Sequence, residues 1–330
     1  MRVFPLLIWT GGVLVVLAAA IAIAFVVSPW PSVLIIQRTF AGGDTASEAA
    51  LEKHVPPGIV SVGNVAYGLG PDEIFDINYP PGAASQLPAI IWVHGGGWVA
   101  GSKEGVANYL RILAGYGYVT VGVEYSTAPG ATYPTPVRQV NYALKYLLAH
   151  AAELGIDPNA IILAGDSAGA QIAAQLALLS TDADYSGKIG IAPALTRAQL
   201  RGIILVSGAY DINGLKLDGP FGGFINTVLW AYSGVKDFLN DEQFKLVSVT
   251  QYATAAFPPA FISSGNADPL GPQAVALATK LETLGVPVDA LFFPPDHAPL
   301  EHEYQFNLDT AAGQEALDRM VDYLSATLAR

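Results

Sequence analysis

The hydrophobic pattern divides the chain into an apolar leader and a long alternation of strands and helices. No charged residue occurs from residue 3 to 37, and Phe4–Val27 is apolar nearly throughout. As a helix this stretch would reach ~36 Å, enough for the ~30 Å hydrocarbon core of a bilayer. Residues 1–30 therefore predict a transmembrane anchor, with Trp30 at the interface and the remainder of the chain outside the cytoplasm. Cleavage and secretion form the alternative, because Ala22-Ile23-Ala24 has the small-x-small look of a processing site, although the apolar run exceeds the ~7–15 residues of a signal core. Residues 31–57 read as a linker, polar and rich in small side chains over 41–57, and residues 58–330 as the folded domain. There GIVSVGNVAYGL and DEIFDINYP read as two strands of a hairpin joined around 68–71. Short β-branched runs at 89–93, 118–125, 161–166, 202–206, 260–264 and 288–293 then alternate with segments of helical period. That order predicts an α/β fold, a mostly parallel sheet with helices on both faces.

One piece breaks the alternation. Residues 209–257 carry Phe221, Phe224, Trp230 and Tyr232 among glycines. Ligands of open α/β sheets sit beyond the carboxyl ends of the strands, so an aromatic excursion leaving such an end is placed to roof them. The expectation is a cap, with Phe221, Phe224 and Trp230, together with Trp98, as substrate-binding candidates. An insertion packed for stability alone is the other reading.

Composition narrows the chemistry. The 330-residue chain is 52% hydrophobic, so a large core is available, and its net charge is −12 with only 16 Lys plus Arg. Phosphate-backbone binding needs clustered positive charge, so no nucleic-acid partner is expected. With no cysteine, thiol catalysis, thiolate metal sites and disulfides are excluded. No P-loop, H-E-x-x-H or EF-hand pattern occurs, so neither cofactor nor metal is expected. Only His54, His94, His150, His297 and His302 are available as imidazole bases.

The strongest local signal is IILAGDSAGAQ at 161–171, an apolar run that stops at Gly165-Asp166-Ser167-Ala168-Gly169 and passes into a helix-forming stretch. A strand, a sharp turn and a helix with one hydroxyl at the apex make a nucleophile elbow, in which Ser167 is strained and side chains at 165 or 169 would collide with their neighbours. A serine hydroxyl needs a base, a carboxylate to orient that base, and donors for the oxyanion that develops on the attacked carbonyl. The N–H of Ala168 is one such donor. Gly95-Gly96-Gly97, leaving the strand at 89–93, lets backbone approach substrate closely and offers others.

His94-Gly95-Gly96-Gly97-Trp98, GDSAG at 165–169 and Asp268-Pro269-Leu270 together resemble the hormone-sensitive-lipase-type bacterial carboxylesterases and acetylesterases of the α/β-hydrolase superfamily. The resemblance runs from about residue 87 to the C terminus and includes Tyr133-Pro134-Thr135-Pro136 and Gly208-Ala209-Tyr210-Asp211. It implies an α/β-hydrolase fold with an oxyanion hole from Gly96, Gly97 and Ala168, and a structural role for His94. The order Ser, Asp/Glu, His in this fold points to Asp268 as the acid, ahead of Asp211, and leaves His302 and His297 as bases. His302 is preferred because relatives place the base shortly before the closing helix. Two departures stand out. Tyr125-Ser126-Thr127-Ala128-Pro129-Gly130 lacks the Arg and Glu that relatives often carry there, and neither histidine is followed by the usual Gly-Phe.

The resulting expectation is a membrane-anchored serine esterase acting on short-chain or acetyl esters through an acyl-enzyme. An amidase, lipase or deacetylase with the same triad is the near alternative, and a catalytically silent binding module the remote one. The sequence does not specify the oligomeric state.

Overall fold

The computed structural model describes residues 4–83 and 85–329, with side chains from residue 13 onward apart from Asp44. Helix α1 (Phe4–Val27) stops at Ser28-Pro29, and α2 (Trp30–Leu51) departs at 82°. Pro29 and Pro31 explain the break: neither has an N–H to continue the ladder, whereas the first turn of a new helix needs none. From residue 13 the apolar side chains of α1, among them Leu14, Val16, Ile21 and Val27, are exposed.

The expected single span finds no support in this region, and the expected linker changes. Among the described residues no single helix is long and apolar enough to cross a membrane; 13–27 and 30–54 pass that test only as a bent pair. The stretch 31–57 is mostly helical where a linker was expected, with α2 followed by a 3-10 turn at Glu52–His54. Val33 and Leu51 are buried, Gln37 Nε2 donates to the Val99 carbonyl at 2.8 Å, and Asn108 N–H donates to Glu48 Oε2 at 2.8 Å. Glycine inside a helix costs about 1 kcal/mol relative to alanine, and Gly42-Gly43 hid the helix from a propensity reading; burial of the Val33–Ile36–Phe40 stripe offsets that cost.

Strands β1 (Val60–Ala66), β2 (Ile74–Tyr79), β3 (Leu87–Val93), β4 (Val119–Val123), β5 (Ile156–Asp166), β6 (Leu200–Val206), β7 (Ala260–Ser264) and β8 (Val288–Phe292) form one sheet in the order β1-β2-β4-β3-β5-β6-β7-β8. The β1–β2 and β2–β4 pairs are antiparallel and the others parallel. Successive side chains on a strand point to opposite faces, so the parallel strands, covered on both, read as unbroken apolar runs. Ile91, Leu163, Ile203 and Ile262 share one core with α4 (Thr135–Ala149), α5 (Ser167–Thr181) and α9 (Gly271–Thr283). Ile90, Ile162, Ile204 and Phe261 share the other with α3 (Ala107–Ala114) and α10 (Ala311–Leu328). A short α6 (Ala183–Ile189) follows α5, capped by the Asp182 carboxylate. The excursion at 209–257 forms α7 (Gly222–Ser233), α8 (Val249–Tyr252) and three 3-10 turns, and Phe224 of α7 stacks on Phe40 of α2 with ring centres 6.3 Å apart.

Candidate active site

β5 ends at Asp166 and α5 begins at Ser167, whose φ of 49° lies in the left-handed region that residues with a Cβ seldom adopt. The flanking glycines allow it. A Cβ on Gly165 would stand 2.6 Å from the Gly169 carbonyl carbon, and one on Gly169 would stand 2.0 Å from the Val93 carbonyl oxygen, so neither position admits a side chain without moving backbone. The turn thus presses α5 against the end of β3 and raises the Ser167 hydroxyl above the strand ends.

Two loops meet that hydroxyl. The loop after β7 carries Asp268 and the loop before α10 carries His302; they lie against each other where Ala267 N–H donates to the Leu300 carbonyl at 3.0 Å and where Gly265 leaves no room for a Cβ. His302 Nε2 is 3.0 Å from Ser167 Oγ, and His302 Nδ1 is 2.9 Å from Asp268 Oδ1. The same carboxylate accepts from Leu270 N–H at 2.8 Å and from the Ser264 hydroxyl at 2.7 Å. Burial works to raise the Asp268 carboxyl, but His302, through its hydrogen bond and charge, and these donors outweigh it and hold the group below its ordinary range. Burial likewise works to lower His302, and the charges of Glu303 and Asp268 overcome it, lifting the imidazole to about 9.

The glycine loop after β3 is tied from three sides. Asp166, buried behind the serine, accepts from Trp92 Nε1–H and Gly95 N–H, both at 2.7 Å. His94 sits 2.9 Å from Glu124 Oε1 and 2.8 Å from the Gly95 carbonyl, and the Tyr125 hydroxyl donates to the His94 carbonyl at 2.9 Å. Gly96 has φ 112°, and a Cβ there would lie 2.0 Å from the Ala100 carbonyl oxygen. The N–H of Ala168, in the first turn of α5, has no intrahelical acceptor.

Of the aromatic candidates, Phe224 reaches the loop, since a Cβ on Gly97 would be 3.3 Å from its ring. Trp98 is buried, stacked on Tyr232 at 5.1 Å and donating to Gln171 Oε1, so its indole is wall. Phe221 is exposed, and Trp230 lies beneath Lys236, whose ammonium also binds the Val26 carbonyl of α1. A cavity of about 690 Å3 opens beside His302, and none of these four lines it. Its walls are the His94–Gly96 loop, His302, Glu303 and, from α2, Thr39, Phe40 and Ser47. The α2 wall and Glu303 were missed at the level of sequence. The apolar spacing of Val33, Ile36 and Phe40 was the available signal for the first; nothing local signals the second.

The reserve assignments lie elsewhere. His297 is exposed, its ring against Phe293 and its Nδ1 on the Ala298 carbonyl. Asp211 accepts from Asn213 N–H and Gln251 Nε2 where the excursion begins. His54 pairs with Asp309 and His150 with Glu153.

A mostly parallel sheet with a Ser–His–Asp chain on the loops at its carboxyl edge defines an α/β-hydrolase. The BD-FAE family matches residues 75–281. The carboxylesterase NlhH of Mycobacterium tuberculosis (strain ATCC 25618 / H37Rv) is 29% identical over 272 residues, 79% of this chain and 81% of that protein. The acetyl esterase of Salmonella choleraesuis (strain SC-B67) is 26% identical over 306 residues, 87% of each. Among solved structures, esterase B from Lactobacillus Rhamnosis (HN001) superposes with a TM-score of 0.76 at 23% identity, covering 90% of this chain and 95% of that one. The chain belongs to the BD-FAE family and, with these relatives, to the hormone-sensitive-lipase-type esterases of the α/β-hydrolase superfamily. It is a carboxylic-ester hydrolase.

Proposed function

We propose that the protein hydrolyses short-chain or acetyl carboxylic esters through an acyl-enzyme formed on Ser167. The observation that carries this is the unbroken contact from Ser167 Oγ to His302 to Asp268, at 3.0 and 2.9 Å. His302 Nε2 takes the serine proton as Oγ attacks the ester carbonyl, and Asp268 fixes the tautomer and steadies the imidazolium. The N–H groups of Gly96, Gly97 and Ala168 receive the oxyanion; the alkoxide then leaves with the proton from Nε2. Water, activated by the same imidazole, attacks the acyl-enzyme and releases the acid. The same triad serves amidases, lipases and deacetylases, and the acyl pocket decides among them. A panel of p-nitrophenyl esters of increasing acyl length tests the substrate range: kcat/KM should peak at acetyl to butyryl and fall steeply by decanoyl, whereas a peak at long chains would point to a lipase. Ser167→Ala should lose activity on every member.

We propose further that the N-terminal helix holds the enzyme on a membrane, with the catalytic domain outside the cytoplasm. The exposed apolar side chains of α1 between residues 13 and 27 support this reading. Full-length protein should stay in the carbonate-resistant membrane pellet; a soluble product cleaved after Ala24 would replace the anchor with a signal peptide.

A further inference from the structure

We propose that Glu303 is a positioning residue for the base: its carboxylate stands beside Nε2 of His302 and against the buried Asp166 carboxyl, which sets the pH range over which His302 accepts a proton from Ser167. The inference rests on the assignment of His302 as base and deepens it.

The placement is built into the backbone. Glu303 has a left-handed φ of 59°, and its N–H donates to Ser207 Oγ at 3.2 Å, which turns the side chain back toward the strand ends. Glu303 Oε1 lies 3.5 Å from His302 Nε2, on the side of the ring away from Asp268. A Cβ on Gly95 would fall 2.3 Å from Asp166 Oδ2 and 3.1 Å from Glu303 Oε1, so the bare backbone of residue 95 makes room for the two carboxyl groups to meet. Asp166 already accepts an N–H on each oxygen. Its further hydrogen bond is to the Glu303 carboxyl, and two carboxyl groups bond only when one carries a proton. Burial first, and the charge of Glu303 second, push Asp166 up to about 8, so at neutral pH Asp166 holds its proton and the negative charge facing the ring is that of Glu303.

The other charges around the ring do not cancel that one. His94, from the end of β3, is matched by Glu124 from the end of β4, and Tyr125 beside them is held neutral. Asp309, across the cavity, is tied to Lys53 and His54. Asp268 engages Nδ1. Nε2 therefore faces Ser167 and the Glu303 carboxylate. A carboxylate there favours Nε2–H, the form that cannot take the serine proton, yet it also steadies the imidazolium that forms when Ser167 attacks. The first effect moves the acid limb of activity to higher pH; the second raises the plateau.

The test is kcat/KM against pH on p-nitrophenyl acetate for wild type, Glu303→Gln and Glu303→Gly; glycine is at ease with the left-handed φ of residue 303. Both variants should move the acid limb down by about one pH unit or more and lower the plateau by up to ~10-fold. Because the two replacements share only the loss of the carboxylate, a limb that stays at the wild-type position in whichever of them melts cooperatively overturns the role of Glu303, as does a uniform loss at every pH. Failure of the underlying base assignment reads differently: His302→Ala would then stay active while the limb persists.

Discussion

Two histidines lie against carboxylates at the carboxyl edge of this sheet, and their surroundings give them opposite chemistry. His94 is buried, with Nε2 on Glu124 and Nδ1 on the Gly95 carbonyl, so both nitrogens are committed as donors. Burial works to lower its pKa, but Glu124 and that carbonyl prevail and keep it above the usual histidine range. It is a cation that pins a glycine loop. His302 commits Nδ1 to Asp268 and keeps Nε2 for Ser167 at 3.0 Å, with the Glu303 carboxylate standing farther off at 3.5 Å. Having a carboxylate partner does not make a histidine a base. What its second nitrogen meets decides.

That contrast predicts a graded series. His302→Ala should cost ~10³-fold or more in kcat with melting unchanged, because the group that moves the proton is gone. His94→Ala should cost less in rate, ~10- to 100-fold, through a loosened glycine loop beside Ser167, but more in stability, about 3 kcal/mol, because it strands the Glu124 carboxylate in a largely buried site. His297→Ala should change kcat by less than about twofold and stability by less than about 0.5 kcal/mol, since that ring is exposed. Equal rate losses for His94→Ala and His302→Ala, with both proteins equally stable, would break the distinction.

The parts of the site that could be read in the sequence are those encoded locally. A buried strand, a glycine-flanked serine and a helix leave their own signature, because Gly165 and Gly169 sit where backbone leaves no space for a Cβ. The strand-then-triple-glycine pattern at 89–97 is local in the same way. Asp268 and His302 were reachable only through chain order and the family resemblance, since nothing near either residue shows that their loops meet at Leu300. The α2 wall was not legible. α2 contains Gly42-Gly43 and polar small residues, and its helicity depends on Val33, Phe40 and Leu51 finding the domain surface. Glu303 was hidden for a related reason: its proximity to Asp166 needs a left-handed turn after His302 and a missing side chain at residue 95.

The central claim is that Ser167 carries the acyl group, and a fluorophosphonate probe followed by peptide mass mapping tests it most directly. Wild-type enzyme should take up one phosphonyl group on the peptide containing Ser167, and labelling should vanish in a folded Ser167→Ala variant along with ester hydrolysis. Stoichiometric labelling that persists in the variant, or that maps to another residue in the wild type, would contradict the account.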